Sequence, residues 1–185
     1  MGLPEPYYER DGITIYCADH RDILCRMEPS SVDLVFTSPP YNKGRRINGK
    51  WEGSVTESCK GSRFRGGYGT CTDDYDITMY EQWQQNFLIT CAGIIKPSGS
   101  IFYNHKPRVI NGELWTPLRV VPSYVPLRQI VIWDTGAGIN IMPGAFVPAH
   151  EWIMVFAGPD FKLTGAKASA ISDVWHIPSI SSDDH

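Results

Sequence analysis

An apolar run ends in two prolines in the stretch Val32-Asp33-Leu34-Val35-Phe36-Thr37-Ser38-Pro39-Pro40-Tyr41-Asn42. The apolar residues at 32–36 predict a buried strand. Two consecutive prolines cannot continue a sheet, because each lacks an N–H group and has φ fixed at about −65°. We therefore expect the strand to end in a stiff corner, where the carbonyl oxygens have no neighbouring N–H group to bond.

Two side chains with hydroxyl groups flank this corner, since Ser38 precedes it and Tyr41 follows it. Hydroxyl and carbonyl oxygens can accept the hydrogens of an exocyclic amino group, and a tyrosine ring can stack on the base that carries it. The arrangement is therefore suited to hold a nucleobase that has left its duplex. The alternative is a Pro-Pro turn without a binding role, which Pro39 and Pro40 alone would favour.

The segment Phe36–Tyr41 resembles the catalytic motif of the S-adenosylmethionine-dependent amino-methyltransferases of DNA, which methylate cytosine N4 or adenine N6. In that family the Ser-Pro-Pro-Tyr form is commoner among cytosine-N4 enzymes, and Asp-Pro-Pro-Tyr is commoner among adenine-N6 enzymes. Ser38 therefore favours cytosine N4 and leaves adenine N6 open. The resemblance extends over most of the chain. It implies site-specific methylation of double-stranded DNA, as in restriction-modification systems.

The resemblance also implies roles for the four residues of the corner, Ser38, Pro39, Pro40 and Tyr41, which would be catalytic. The Ser38 hydroxyl and the Pro39 carbonyl would accept the two amino hydrogens, while the Tyr41 ring would stack on the flipped base. We expect no general base, because the surplus proton can leave through Ser38 or through water. No metal ion is expected to take part.

Residues on both sides of the corner are expected to bind the methyl donor, S-adenosylmethionine. The resemblance implies this role for Asp19, Thr37 and Asn42, and Asp19 follows the first predicted strand, where the family has an acidic residue. Asp19 is equally well placed to cap a helix, because Asp often occupies the first position of a strand-to-helix turn. The two roles are compatible.

Composition is typical of one intracellular α/β domain. The resemblance implies that residues 1–185 form the catalytic portion of a single methyltransferase domain. The net charge is −3, so DNA contacts must come from a local basic patch. No apolar run is long enough for a membrane span, and no secretory leader is apparent, which predicts a cytoplasmic protein. The five cysteines contain no Cys-x-x-Cys pair and are expected to be reduced. Zinc between Cys59 and Cys71 is disfavoured because no nearby histidine completes a ligand set.

A basic loop rich in Gly and Arg is predicted at residues 43–72. It holds seven Lys or Arg against two acidic residues between positions 43 and 65, although the whole chain is acidic. Because long loops in compact domains are usually functional or disordered, the alternative is a solvated insertion without a partner. We expect phosphate contacts from the following side chains: Lys43, Arg45, Arg46, Lys50, Arg63 and Arg65.

Hydrophobic periodicity predicts the remaining elements. Strands are expected at Ile13–Cys17, Val32–Phe36, Ser100–Asn104, Arg128–Asp134 and Glu151–Phe156, and helices at Arg21–Met27 and from Met79 or Tyr80 to Ile95. The long helix follows an acidic segment and is expected to stop at Lys96-Pro97-Ser98-Gly99. The segment 114–125 is ambiguous, because its prolines exclude a long helix.

Gly136-Ala137-Gly138 follows a predicted strand, but it lacks the third glycine and the helix that a dinucleotide-binding loop requires. A hairpin-like strand pair fits better. The resemblance matches Arg128 and Trp133 to a family feature before this loop, and it matches His150 and Glu151 to a pair after it. We expect His150 and Glu151 to form a hydrogen-bonded pair that orders the loop, rather than to be catalytic. Thr135 stands where the family often has Lys, so a polar contact is in doubt there.

The fold class that the resemblance implies is a Rossmann-like α/β sheet, mostly parallel with an antiparallel strand near one edge and incomplete in this chain. The family's glycine-rich cofactor motif is not found in these 185 residues. We therefore expect a C-terminal segment or a second chain to supply the cofactor site, and we expect weak donor binding by this chain alone. A catalytically incomplete remnant or a DNA-binding module is the alternative from another functional class.

Overall fold

The structure, a computed structural model, describes residues 2–42, 75–136, 144, 146–165 and 170–178, together with the backbone of 46–47 and 50–51. Two α helices are described, α1 (His20–Leu24) and α2 (Ile77–Ile94), and a 3₁₀ turn covers Pro117–Val120. The strands are β1 (Tyr8–Arg10), β2 (Ile13–Ile15), β3 (Val32–Thr37), β4 (Arg46–Ile47), β5 (Lys50–Trp51), β6 (Ile95–His105), β7 (Arg108–Ile110), β8 (Glu113–Trp115), β9 (Leu127–Asp134), β10 (His150–Ala157) and β11 (Val174–His176).

The main sheet contains five strands among the described residues, in the order β11-β9-β10-β6-β3. β3 pairs parallel with β6 and β11 pairs parallel with β9, whereas β10 lies antiparallel between β6 and β9. Four strands therefore share one direction and one runs against them. The predicted mixed α/β sheet is confirmed, and its antiparallel strand is the third of the five described strands.

Helix α2 packs one side against this sheet. Its N-cap is Asp76, whose side chain accepts the N–H of Thr78 at 2.9 Å. The stripe that faces the sheet is buried at Tyr80, Gln84, Leu88, Cys91 and Ile94. These side chains meet the inward face of β6 and β10, and the resulting core holds Ile101, Tyr103, Trp115, Val120, Val125, Met154 and Phe156. The predicted apolar stripe of this helix is thus the centre of the core.

Strand β6 begins earlier than the sequence predicted. Helix α2 ends at Ile94, before the Lys96–Gly99 segment as expected, but β6 follows at once from Ile95. The pairing with β3 shifts register between Val32 and Leu34, so the segment expected to be a loop is an irregular part of the strand. The prediction that this strand begins at Ser100 was therefore wrong.

Strand β3 is less buried than its apolar sequence predicted. It lies at one end of the described sheet, and Leu34 and Phe36 are 52% and 65% exposed. Val35, on the other face, packs against the core. The predicted burial therefore holds for one face of β3 only, because the described residues cover the face of Val35 and leave the face of Leu34 and Phe36 exposed.

The N-terminal elements form a separate hairpin, since β2 pairs only with β1 among the described residues. β2 ends at Ile15, two residues before the predicted end. Helix α1 is shorter than the predicted Arg21–Met27, although hydrogen-bonded turns continue to Met27. Pro29 disfavours the helical conformation at Glu28, so the turns do not continue beyond Met27.

The ambiguous segment 114–125 begins within β8, the second strand of the β7–β8 hairpin, and continues into the 3₁₀ turn. Cys17, Cys25 and Cys91 are free thiols, as expected, whereas Cys59 and Cys71 lie outside the described residues. Burial raises the pKa of the Cys91 thiol to about 12. In the part of the chain that the structure covers, no helix is long and apolar enough to cross a membrane.

Candidate functional site

The sheet topology brings three polar segments to one edge. β3 and β6 are parallel and end at Thr37 and His105, so the residues after β3 lie beside the end of β6. β10 runs in the opposite direction, so its first residues, His150 and Glu151, lie at the same edge. The carboxyl ends of parallel strands commonly carry the functional residues of open α/β sheets. The predicted corner at Ser38–Tyr41 lies at this edge.

A hydrogen-bonded network joins the corner to the ends of β6 and β10. The Ser38 Oγ atom lies 2.7 Å from the Tyr41 hydroxyl. The Tyr41 hydroxyl donates to Glu151 Oε2 at 3.2 Å and accepts from Asn104 Nδ2 at 2.9 Å. Asn104 Nδ2 also donates to Glu151 Oε2 at 2.8 Å. Four side chains from three segments are therefore held together at the corner.

The sequence predicted carbonyl oxygens without hydrogen-bond donors at the corner. In the structure, the carbonyls of Pro40, Tyr41 and Asn42 accept hydrogen bonds from side chains. Tyr80 donates its hydroxyl to the Pro40 carbonyl at 2.9 Å. The Arg108 guanidinium donates to the carbonyls of Tyr41 and Asn42, the latter at 2.9 Å. Side chains supply the donors that a proline corner lacks in its own backbone. The Pro39 carbonyl receives none of these bonds.

A buried histidine supports this arrangement from below. His105 is fully buried, and its Nε2 atom lies 2.6 Å from the Tyr80 hydroxyl. Its Nδ1 atom accepts the backbone N–H of Lys106 at 2.8 Å. An imidazole nitrogen that accepts an N–H bond carries no proton, so the Nε2 atom carries it and donates to Tyr80. This leaves the Tyr80 proton for the Pro40 carbonyl.

The Tyr41 ring is more enclosed than a stacking platform requires. Its exposed fraction is 9%, and its centroid lies 4.7 Å from the His105 ring. In this arrangement Tyr41 acts chiefly through its hydroxyl, and stacking on a base requires the ring to move. The stacking role stays a prediction. Ser38 is exposed, whereas Pro39 is buried.

The buried Tyr103 phenol near the corner is kept neutral. Burial raises the pKa of the Tyr103 phenol well above its usual value, and the neighbouring Tyr80 and Tyr41 phenols add to the effect. The Tyr103 hydroxyl donates to Gln84 Oε1 at 2.7 Å. Below the site, Tyr103 and Gln84 are therefore a neutral, hydrogen-bonded pair.

The predicted cofactor residues have partners within the chain. Asp19 caps α1 by accepting the Arg21 N–H at 2.9 Å, and it also accepts the Arg21 guanidinium at 2.7 Å and 2.9 Å. These bonds hold the pKa of the Asp19 carboxyl well below its usual value, the side-chain bond being the largest cause. The helix-cap role is confirmed. Asn42 bonds both backbone groups of Tyr75, at 2.7 Å and 2.9 Å, and Thr37 is the last residue of β3.

The side chains at Asp19, Thr37 and Asn42 fit S-adenosylmethionine in part. The Asp19 side chain is 40% exposed and accepts three bonds, and a carboxylate can accept about four. His20 Nδ1 also lies 3.5 Å from Asp19 Oδ1, which is too long for a strong hydrogen bond. One acceptor position is therefore left for a ribose hydroxyl or an adenine amino group. A cavity of about 220 Å³ between α1 and α2 lies next to Asp19, is lined in part by His20, Trp83 and Phe87, and includes no residue of the corner.

His150 and Glu151, at the start of β10, do not form the hydrogen-bonded pair that was predicted. Glu151 bonds Tyr41 and Asn104, and His150 is exposed, so the expected His150–Glu151 pair is not the contact that Glu151 makes. Thr135 takes a structural role by donating to the Ala149 carbonyl at 2.9 Å. Arg128 donates to the Gly158 carbonyl at 3.2 Å, and Trp133 donates to the Ile177 carbonyl at 2.7 Å.

The predicted DNA contacts lie outside the residues whose side chains the structure describes. Only the backbone of β4 and β5, an antiparallel pair, is described within the basic loop. Phosphate binding therefore stays a prediction for Lys43, Arg45, Arg46, Lys50, Arg63 and Arg65.

Comparison with known proteins places the chain among related sequences. The family described as DNA methylase matches residues 32–184. Type II methyltransferase M.BglII of Bacillus subtilis is 27% identical over 86% of this chain and 39% of its own length. Type II methyltransferase M.HpaI of Haemophilus parainfluenzae is 26% identical over 81% of this chain and 40% of its own length. The chain thus spans about two fifths of these curated relatives.

Solved structures show the same fold. The PvuII DNA methyltransferase, described as cytosine-N4-specific, superposes with a TM-score of 0.60 at 15% identity, over 91% of this chain and 58% of that one. A DNA modification methylase from Thermus thermophilus, complexed with S-adenosyl-L-methionine, gives a TM-score of 0.53 at 16% identity, over 88% of this chain and 66% of that one.

Proposed function

Because the chain belongs to the DNA methylase family, we propose that it is the catalytic portion of a DNA methyltransferase. Its substrate is the exocyclic amino group of a base flipped out of double-stranded DNA, and its methyl donor is S-adenosylmethionine. Cytosine N4 is the favoured target. The relatives are named type II methyltransferases, which supports a role in site-specific DNA modification.

One observation carries this proposal: the pattern of occupied acceptors at the corner. The carbonyls of Pro40, Tyr41 and Asn42 already accept bonds from Tyr80 and Arg108. The Ser38 side chain is exposed, and the bonds from Tyr80 and Arg108 do not involve the Pro39 carbonyl; we assign these two oxygens to the amino group. An amino group has two hydrogens, so the two acceptors match it in number and kind.

The chemistry requires little more than this pair. The lone pair of an aromatic amino nitrogen is delocalised into its ring, so the nitrogen is a weak nucleophile. Acceptors on both N–H groups favour the pyramidal nitrogen, whose lone pair points out of the ring plane. Fixing the amino group in one orientation can contribute about 7–11 kcal/mol to the lowering of a barrier. When bound, S-adenosylmethionine supplies an activated methyl group on a sulfonium.

Asp19, Thr37 and Asn42 are the residues that we assign to the methyl donor. Asp19 has one acceptor position left, and Thr37 lies at the carboxyl end of β3, next to the corner. The remaining donor contacts would come from a segment or chain beyond these residues. The basic loop at 43–72 is assigned to the phosphates of DNA because it directly follows the corner.

Cytosine N4 is favoured over adenine N6 on two grounds. Ser38 occupies the position where the family's cytosine-N4 enzymes commonly have Ser, and a protein of the same fold is described as cytosine-N4-specific. Adenine N6 is the second candidate, because the same pair of acceptors can hold either amino group.

The test is methyl transfer by the full-length polypeptide in which this chain occurs, with duplex DNA and S-adenosylmethionine. Mass analysis of the digested DNA identifies the product, and we expect N4-methylcytosine. Ser38→Ala should lower the transfer rate by about 100-fold, because one preorganised partner of the reacting group is lost. The control, Ser123→Ala, removes an exposed hydroxyl away from the corner and should leave the rate unchanged.

Each other result has a defined meaning. N6-methyladenine as the product selects the second candidate. Duplex binding without methyl transfer would support a remnant or a DNA-binding module instead. Full activity of Ser38→Ala would contradict the proposed role of the corner.

A further inference from the structure

The hydrogen bonds at the corner favour one arrangement of the hydroxyl protons. Tyr41 has one hydroxyl proton, and its oxygen contacts Ser38 Oγ, Asn104 Nδ2 and Glu151 Oε2. The Tyr41 hydroxyl donates this proton to Glu151 Oε2. The amide Nδ2 of Asn104 only donates. With the Tyr41 proton directed to Glu151, the Ser38 hydroxyl is the donor in its 2.7 Å bond to the Tyr41 oxygen.

This arrangement fixes the state of the Ser38 hydroxyl. Its only proton is held by Tyr41 at a 2.7 Å separation of the oxygens, so both of its lone pairs remain available. A serine hydroxyl without such a constraint rotates and can present its proton instead. An amino group requires an acceptor, and the network removes the competing donor orientation.

Given the proposed methyl transfer, we propose that Glu151 is a positioning residue that acts through Tyr41 to orient the Ser38 hydroxyl, and that it receives the surplus proton of the reaction. Asn104 holds the Glu151 carboxylate and the Tyr41 oxygen with the two hydrogens of one amide. Asn104 is only 6% exposed, so the pair of bonds is shielded from water. In this role Glu151 acts through Tyr41 rather than by contact with the base.

The proton path follows the same three oxygens. In the transfer the N–C bond forms and the sulfonium S–C bond breaks, which leaves a neutral thioether and one excess proton on the amino nitrogen. That proton passes to Ser38 Oγ, the Ser38 proton passes to the Tyr41 oxygen, and the Tyr41 proton passes to the Glu151 carboxylate. Ser38 and Tyr41 end neutral, Glu151 ends protonated, and the methylated amine ends neutral.

The decisive comparison is a double-mutant cycle in the full-length polypeptide, with single-turnover methyl transfer to duplex DNA as the readout. Glu151→Gln keeps the size and a hydrogen-bond acceptor but cannot take up the proton, and we expect transfer about 100-fold slower. Tyr41→Phe keeps the ring and removes the hydroxyl that connects Ser38 to Glu151. In the Tyr41→Phe background, adding Glu151→Gln should slow transfer by a further factor of less than about three. The effects of two substitutions in one hydrogen-bond network are not additive.

Two controls separate this role from general damage. Glu9→Gln changes an exposed carboxylate of β1 and should leave the rate unchanged. The dissociation constant for duplex DNA should be the same for Glu151→Gln and the wild-type protein, because Glu151 does not touch the DNA.

A readout that does not depend on activity is the NMR resonance of the Tyr41 ring carbon that carries the hydroxyl, in protein labelled with ¹³Cζ-tyrosine. The resonance is assigned by its loss in Tyr41→Phe. Glu151→Gln should move it, because a bond to a carboxylate is stronger than one to a neutral amide. Glu9→Gln should not.

The outcomes distinguish this inference from the function on which it rests. A wild-type protein that transfers no methyl group overturns the proposed function, and this role with it. If the wild-type protein is active and Glu151→Gln is equally fast, or if the two substitutions have additive effects, the role of Glu151 is wrong and the function stands. An unmoved Tyr41 resonance in Glu151→Gln would contradict the bond itself.

Discussion

Tyr80 shows how a single side chain can prepare the corner for its ligand. Its hydroxyl lies between the His105 ring and the Pro40 carbonyl, at 2.6 Å and 2.9 Å, and its side chain is fully buried. Because His105 donates to Tyr80, the Tyr80 proton goes to Pro40. A carbonyl that would otherwise compete for the amino group is thereby occupied.

Tyr80→Phe should lower the free energy of unfolding by about 1–3 kcal/mol, since it leaves the Pro40 carbonyl and the His105 Nε2–H without their partner. The measurement is equilibrium unfolding in urea. Tyr7→Phe is the matched control, because Tyr7 is 79% exposed and its substitution should change stability by less than about 0.5 kcal/mol. Equal stability of the two variants would show that the Tyr80 bonds contribute nothing.

The residues of the corner were predictable, but the residues that support it were not. Ser38 and Tyr41 were predicted from a short motif, because both belong to the same four consecutive residues. The donors Tyr80 and Arg108 lie 40 and 66 or more positions further along the chain from the carbonyls they bond, so only the tertiary fold shows the contact. One signal was present, since Asn104 and His105 are polar residues at the carboxyl end of an apolar strand.

Among the elements, β6 shows why an element boundary can be misread. Lys96-Pro97-Ser98-Gly99 has the composition of a helix stop, and the helix does end before it. Nothing in that composition indicates that the chain can pair with β3 through the same residues. A Cβ at Gly99 would lie 2.8 Å from the Asp33 carbonyl oxygen and 3.0 Å from that of Val32. Gly99 is thus required by close strand approach.

Gly99→Ala should destabilise the protein by about 1–3 kcal/mol, because β3 or β6 must shift to admit the methyl group. Gly93→Ala is a control that should change the free energy of unfolding in the opposite direction. Gly93 is exposed on α2 with no atom near its absent Cβ, so alanine should stabilise the helix by about 0.5–1 kcal/mol. Urea unfolding of both variants measures the difference. A neutral Gly99→Ala would mean that the strands separate at no cost.

Strands with strong apolar patterns were predicted within one or two residues, as β9 and β10 show. β11 was not predicted, because a strand of three residues is too short to show a hydrophobic periodicity. It forms through tertiary contacts, in which Asp173 accepts the Ile132 N–H at 2.7 Å and the His176 ring contacts the Asp134 carboxylate at 2.9 Å. Short strands of this kind depend on a sheet edge that already exists.

At the scale of the whole molecule, the two faces of the sheet differ. Both described α helices lie on the face that carries Val35, Tyr103 and Met154, where the larger core cluster forms. On the other face, Phe36, Phe102 and Trp175 form a row of rings with centroids 6.3 Å and 6.5 Å apart. Phe36 ends this row at the exposed edge strand. The described residues thus leave an apolar surface next to the free edge of β3.

The isolated 185-residue chain should therefore self-associate through β3, since an exposed apolar edge strand is a template for pairing. Leu34→Lys should reduce association by placing a charge on that edge, whereas Leu114→Lys, in the β8 hairpin outside the main sheet, should not. Sedimentation velocity at concentrations up to about 100 µM would measure this, because such association occurs in the micromolar range. A wild-type chain that stays monomeric throughout, or equal effects of the two lysines, would show that β3 is covered by residues outside the described set.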